Sequence, residues 1–435
     1  MEILASLLSG LKAVCAAFPD QRKGRSGNIA MADFGLSAFA MFFMQCASFL
    51  SFQRALEKGQ GRSNCQMLFG IEKIPSDNYI RDMLDEADPA RLAPCFERAE
   101  HLLRGGTMRE AFGRLGGRTL IALDGTEYFA SQKITCPHCQ TRRRSNGKVE
   151  SYHSMLAATV VAPGHSKVVP LMPEFIVKPD GAEKQDCERN AVKRWLAKHG
   201  ARLKPLCPVY LADDLFACQS VVERLAANGD DFIFTCKETS HKALYDFIAG
   251  AELERHLVRV RKGKSSQTHR YRFIAKVPLR DGNDAALVNW IGFEILDAKG
   301  IVKYKTALVT SLTVTKSNVA DIVACGRARW KIENESFNVL KNHGYELEHN
   351  FGHGQNYLAM TLAALNMLAF AWHTILDLLE PPWQRARQAA ETRNSFFAYL
   401  LAITRLVVFP AWSELLEALA TFSLPPHLLA MPKIE

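Results

Sequence analysis

Hydrophobic and polar positions follow three successive regimes along the 435-residue chain. Residues 1–115 read as largely helical. FGLSAFAMFFMQCASFLSFQRAL forms one dense apolar helix, and a Gly/Arg/Ser/Asn break covers 59–64. A second helical stretch begins near IPSDNYIRDMLDE, where Ser76 or Asp77 can cap the first turn. The period then shortens. TLIALDG is an apolar run stopped by Asp-Gly, read as a strand with a turn behind it, and SYHSMLAATVVAP and SKVVPLMPEFIV are strand-like runs joined at Gly164. KQDCERNAVKRWLAKHG has helical spacing with a stop at Gly200, and CPVYLADD is a fourth strand, again ending in acid. FIFTCK, HRYRFIAKVP, VNWIGFEIL and KYKTALVTSL are also strand-like. A helix over about 317–342 stops at Gly344, and residues 355–421 supply two or three very apolar helices.

The pattern predicts an α/β fold: a mixed sheet with flanking helices, interrupted by a mostly β insertion, with helical regions at both ends. The expected divisions are a helical region over 1–115, the first part of the sheet domain over 116–216 and a β-rich insertion over 217–303. The last part of the sheet domain, with a glutamate-bearing helix, covers 304–345, and a C-terminal helical region suited to dimerisation covers 346–435. The first region serves as a packing layer or touches DNA, with charge from Arg22, Lys23 and Arg25.

A hydrophobic content of 48% supports a large core, and 23% charged residues argue against a wholly disordered chain. A net charge of +9 is compatible with a polyanionic partner without specifying one. MEILASLLSG lacks a basic leader, so no signal peptide is expected, and the eleven cysteines read mostly as reduced thiols of a cytosolic protein. Asn356, Asn366, His373 and Asp377 interrupt the most apolar stretch, 356–379, which favours a buried helix over a membrane-associated protein.

Three acids change the picture: Asp124 in LIALDGTEYF, Asp213 in PVYLADDLFA and Glu333 in RARWKIENESFNVLK. A carboxylate at the end of a buried strand is costly unless its charge is used or neutralised. Two strand-end acids and a helical glutamate supply the hard oxygen ligands that hold two divalent metal ions against a phosphodiester. Asp124 is the candidate bridging ligand; a turn-capping aspartate is the alternative. Asp213 is preferred to Asp214 because it comes first after the strand and alternation points only one of them inward. Arg329, Glu333 and Phe337 share a face at i, i+4 spacing, so Arg329 can hold the glutamate or a phosphate. Trp330, Ile332, Phe337 and Leu340 offer a packing surface, and Glu335 lies nearly opposite. An amphipathic helix with ordinary ion pairs is the alternative.

Basic residues cluster twice: Arg142, Arg143, Arg144 and Lys148, then Arg255, Arg259, Arg261, Lys262, Lys264, Arg270 and Arg272. Both clusters suit DNA phosphates, or else are solvated loops. Trp290 is either a core residue or a base-stacking one. Cys136 and Cys139 of CPHC are half of a zinc site by spacing, to be completed by Cys187, His138 or His153; reduced thiols and a redox pair are the alternatives. His349 and His353 read as DNA contacts, helix caps or metal ligands.

Through LIALDGT, VYLADDLF and RARWKIENESFNVLK, over about 118–343, the chain resembles bacterial insertion-sequence transposases of the DDE type, which have an RNase H-like catalytic domain. The resemblance implies cut-and-paste or related transposition, recognition of double-stranded DNA with terminal inverted repeats, a target DNA, and a homodimer on paired ends. It also implies Mg²⁺ as cofactor, with Mn²⁺ able to substitute, and a nucleoid-associated place in bacterial cytoplasm. On the tyrosine–arginine–glutamate–lysine signature of those relatives, Arg329 and Glu333 fall on the arginine and glutamate. Gly326 stands at the tyrosine position, and Leu340, followed by Lys341, at the lysine position. Phosphate binding by Arg329 and Lys341 is implied accordingly. The rival readings are an RNase H-like metal-dependent nuclease without strand transfer and a catalytically inactive DNA-binding relative.

Overall fold

A strand covered on both faces sends alternate side chains into two different cores. The run Leu120–Leu123 does so: Leu120 and Ala122 enter one apolar cluster, Ile121 and Leu123 the other. The computed structural model describes residues 2–23, 28–57, 60–177, 186–262 and 265–424. Among them, twelve strands form one mixed sheet. They are β1 (Gly113–Arg114), β2 (Arg118–Ser131), β3 (Gln140–Arg143), β4 (Val149–Val161), β5 (Val169–Pro170), β6 (Glu174–Ile176), β7 (Pro208–Ala212), β8 (Asp231–Thr235), β9 (Glu254–Lys262), β10 (Ser265–Pro278), β11 (Leu287–Leu296) and β12 (Val302–Thr310). The spatial order is β3-β4-β2-β7-β8-β12-β11-β10-β9, with β1 on β2 and β5 and β6 on β4. Strands β2, β7 and β8 are parallel to one another; every other pairing is antiparallel.

Helices cover both faces. Glu188–Leu203, Gln219–Asn228 and Lys242–Ala249 bury Trp195, Val221 and Leu244 in the same cluster as Ile121, Tyr210 and Phe234. The other face carries most of the N-terminal helices together with the C-terminal ones. Phe43 marks their junction, with its ring centroid 4.4 Å from His373, 5.7 Å from Trp383 and 5.5 Å from Trp412. The two terminal regions therefore share one core. The helix Leu358–Leu379 is long and apolar enough to cross a membrane, but 83% of its most apolar window is buried in the protein. Its polar residues have internal partners: Asn366 donates to the Tyr345 carbonyl at 2.7 Å, and His373 meets the Tyr345 hydroxyl at 2.6 Å.

Several elements depart from the sequence reading. β2 does not stop at Asp124–Gly125: Asp124 pairs with Ala157 and Gly125 with Leu156, and the strand continues to Ser131. The glycine serves a close approach instead of a turn, because a Cβ there would lie 1.9 Å from Glu188 Oε1. The apolar segment expected as one helix is two, Met31–Phe43 and Phe49–Glu57, with Gln45 at φ 53 between them. The expected break at 59–64 overlaps the helix Gln60–Phe69. Ser76 takes the N-cap conformation but makes no side-chain cap bond, while Asp77 accepts from the Asn78 N–H. Helix Glu188–Leu203 runs past Gly200. An insertion boundary at 217 falls ahead of the helix Gln219–Asn228 and β8, which pairs in parallel with β7. Strands β9–β12 prolong the same sheet, and β9 was hidden because arginines occupy its exposed face.

The segment near 317–342 is helical but not uniformly α. It passes from Val319–Arg327 through a 3₁₀ turn, Ala328–Trp330, and a π segment, Ile332–Phe337, to Asn338–Asn342. Gly326 sits where this helix seats on the sheet, and a Cβ there would come within 2.7 Å of Leu308 Cδ1 and 2.8 Å of Ile233 Cγ2. A tyrosine has no room at that position. Overpacking a tight contact of this kind costs about 1–3 kcal/mol. Gly326→Ala should lose about that much stability in urea unfolding, and Gly326→Tyr should fail to fold; an unchanged midpoint for the alanine variant would show that the contact yields.

Candidate active site

Parallel pairing fixes the first two acids. Leu120 is level with Val209, and Ala122 with Leu211. Asp124 lies two residues past Ala122 within β2, and Asp213 is the first residue beyond the end of β7, near enough to act on the Asp124 carboxyl. Glu333 reaches them from the helix through a shared cation. Arg329 Nη1 lies 3.2 Å from Asp124 Oδ2 and 2.7 Å from Glu333 Oε1. Asp213 Oδ1 accepts the Leu215 N–H at 2.9 Å, which holds the turn after β7. Its neighbour Asp214 is committed elsewhere: it accepts from the Lys237 N–H and the Ser240 hydroxyl, and His241 approaches at 3.4 Å.

A fourth carboxylate went unread in the sequence. Glu188 opens the helix Glu188–Leu203, lies against Gly125, and has no hydrogen bond or ion pair among the described residues. An acid in a first helical turn is too common to single out; only the Gly125 contact reveals it. Burial, then the nearby Asp213, pushes the Glu188 carboxyl above its ordinary value. Asp124 is pushed up to about 7: burial is the largest cause, Arg329 opposes it, and Asp213, Glu333 and Glu188 add to it. The guanidinium is outweighed, so this end of the sheet is short of positive charge. Hard oxygen donors in this number are of the kind that hold a divalent cation. The acids nonetheless do not form a closed ligand cluster among the described residues, since Arg329 lies between two of them.

The helix projects differently from a regular α-helix. Ile332, Phe337 and Leu340 are buried, but Trp330 is 46% exposed, with the Lys331 ammonium 5.2 Å from its ring centroid. The 3₁₀-to-π change rotates the faces, so Phe337 does not share the exposed face of Glu333. Lys341 is paired with Glu348 at 2.7 Å.

The basic clusters are partly spent. Arg142 pairs with Glu127 and, at 2.7 Å, with Glu150, and lies over the Tyr152 ring; Arg144 also pairs with Glu150. These acids come from neighbouring strands, so no local reading of the basic run could find them. Arg143 and Lys148 are exposed. Arg270 and Arg272 share Glu294. Arg255, Arg259 and Arg261 line the exposed face of β9 and have no ion pair among the described residues. The Lys262 side chain, Lys264 and Arg25 lie outside the described residues. Arg22 is tied to Asp20 and the Ile29 carbonyl, and Trp290 is a buried core residue, 4% exposed.

Cys136 and Cys139 do find partners. Their Sγ atoms and the Nε2 atoms of His153 and His353 all lie within 4.8 Å of one another, a group able to hold a metal such as zinc. The other ligands considered stand apart: Cys187 is exposed at the start of its helix, and His138 stacks on Tyr357. His349 packs edge-on against Phe351.

A carboxyl whose folded pKa is raised stabilises the fold when protonated, and this contribution is lost as pH rises through the folded value. For Asp124 the loss runs from about 3.8 to about 7. In metal-free protein, Asp124→Asn should therefore raise unfolding stability near pH 8 by about 2–4 kcal/mol and leave it little changed near pH 4. Urea unfolding at the two pH values checks this, and an equal effect at both would contradict it. No protein-family model and no curated protein matches the chain.

Proposed function

We propose that the chain is a DNA-cutting and DNA-joining enzyme, a DDE-type transposase in which Asp124, Asp213 and Glu333 hold two Mg²⁺ ions. One observation carries the reading: Asp124 within β2 and Asp213 just past the end of its parallel neighbour β7 act on one another, and Glu333 is joined to Asp124 by Arg329. The RNase H-like assignment draws support from the sheet order: β5 and β6 pair antiparallel with β4, and β4 with β2, while β7 and β8 follow in parallel across helical connections. On this reading β9–β12 belong largely to an insertion between the second and third acids.

When bound, two Mg²⁺ ions lower the pKa of an attacking water and stabilise the departing 3′ oxygen. The chain's own residues set the geometry. Asp124, on which the other acids all act, would hold the ions together with Asp213 and Glu333. Glu188 adds a fourth carboxylate on the Gly125 side. Arg329, paired with Asp124 and Glu333 here, would be free to hold a phosphate oxygen once those acids held ions. The freed 3′-OH would then attack a phosphorus of a second strand and expel that strand's own 3′ oxygen, so no covalent protein–DNA bond is needed. Trp330, exposed beside Arg329, offers a stacking face for an unpaired base. The reading entails an inverted-repeat duplex and a target DNA as partners, a homodimer on paired ends, and a nucleoid-associated place in a bacterial cell.

Duplexes carrying the inverted repeats that flank the coding sequence provide the test. The wild-type chain should join a pre-cut end to target DNA in Mg²⁺ or Mn²⁺. Asp124→Asn, Asp213→Asn and Glu333→Gln should each lose at least about a hundredfold in rate, several kcal/mol of transition-state stabilisation, with DNA binding retained. Cutting without joining would make the protein a nuclease, and binding without cutting an inactive relative. Replacing Arg255, Arg259 and Arg261 together by Ala should lower the slope of log affinity against log salt by about 2–3. An unchanged slope would remove the β9 face from the DNA path.

A further inference from the structure

We propose that Cys136, Cys139, His153 and His353 form a closed structural zinc site that straps the segment after the glutamate helix to the β2–β4 hairpin. The distances fit a tetrahedron. With Zn–S near 2.3 Å and Zn–N near 2.0–2.1 Å, tetrahedral edges are about 3.8 Å between sulfurs and about 3.5 Å between sulfur and nitrogen. The two Sγ atoms are 3.7 Å apart. His153 Nε2 is 3.5 Å from each sulfur, and His353 Nε2 is 3.5 Å from Cys139 Sγ. A disulfide would instead bring the sulfurs to about 2.05 Å.

The surroundings are those of a closed site. Cys139, His153 and His353 are 4%, 1% and 9% exposed. The Tyr128 ring stacks on His153 at 5.6 Å, and Phe129 lies 4.3 Å from the His353 ring. This enclosure depends on a β-bulge: pairing passes from Glu127–Ser154 to Phe129–His153, leaving Tyr128 as the extra residue, so Tyr128 and Phe129 are both buried around the histidines. The Tyr128 hydroxyl is buried and has no hydrogen-bond partner among the described residues. Two thiolates with two imidazoles select a soft or borderline ion over Mg²⁺ or Ca²⁺, and four protein ligands leave no open position for catalysis. The ligands come from the β2–β3 connection, from β4, and from the stretch between Asn342 and Leu358, which puts His353 214 residues from Cys139. Zinc there fixes the exit of the glutamate helix against the strand that carries Asp124. The proposal stands whether or not the chain cuts DNA.

Elemental analysis of the purified full chain should find about one zinc per chain. Cobalt exchange should give tetrahedral d–d bands with thiolate charge transfer. Cys139→Ser and His353→Ala should drop the metal content below about a tenth, while Cys187→Ser and His138→Ala keep it. His353→Cys, which retains a soft donor, should keep the metal and strengthen the charge-transfer band even if the alanine variant does not fold. Chelation should speed amide exchange across 343–357 and leave the Glu2–Ala16 helix unchanged. Folded, zinc-supplemented wild type with less than about a tenth of an equivalent, a metal content indifferent to Cys139→Ser, or iron in place of zinc would overturn the proposal.

Discussion

Carboxylates crowded at the middle of β2 and just past the end of β7, with one arginine between two of them, set the terms for the rest of the molecule. Parallel pairing of β2 with β7 brings Asp124 and the residue just after β7, Asp213, near one another despite the repulsion of their charges. Arg329 bridges Asp124 and Glu333, yet burial outweighs it and holds Asp124 near 7. The arrangement is an unfinished neutralisation, and a more concentrated positive charge would complete it. Two glycines make it sterically feasible. Gly326 lets the helix settle onto β8 and β12, from which Arg329 reaches across to β2, and Gly125 leaves room for Glu188.

Much of this was legible in the sequence where residue type conflicts with surroundings. Asp124 and Asp213 follow buried apolar runs, and the tetrapeptide CPHC advertised half of its cluster. Strand runs such as FIFTCK were legible because both faces of the sheet are covered there, as they are for the second half of KYKTALVTSL, Leu308–Thr310. What failed were inferences from local propensity. Asp-Gly favours turns, but here the missing Cβ serves a contact with Glu188, which no neighbouring residue announces. β9 was masked by its arginines, and the loss of helical phase before Glu333 carries no compositional mark, so Trp330 was assigned to packing when it faces outward. The pairing of Arg142 with Glu127 and Glu150 depends on strand register, and His353 on a return of the chain from far away.

The two proposed metal sites divide the labour along one long strand. Asp124 lies in the middle of β2, among oxygen donors of which Glu333 is half exposed. Beyond the bulge at Tyr128, the chain leads to sulfur and imidazole donors enclosed by aromatic rings. The first arrangement is suited to exchangeable ions and chemistry, the second to a permanent link. Between them they hold the glutamate helix from both ends: Arg329 and Glu333 at its start, and His353 soon after its finish.

The most direct test of the central claim is anomalous scattering from crystals of the chain with a DNA end and Mn²⁺. The account predicts two manganese peaks about 4 Å apart, both within bonding distance of Asp124, with Asp213 and Glu333 each on one of them and Arg329 moved onto a phosphate. DNA seated on the protein with no manganese at Asp124, and Arg329 still bridging Asp124 and Glu333, would contradict it.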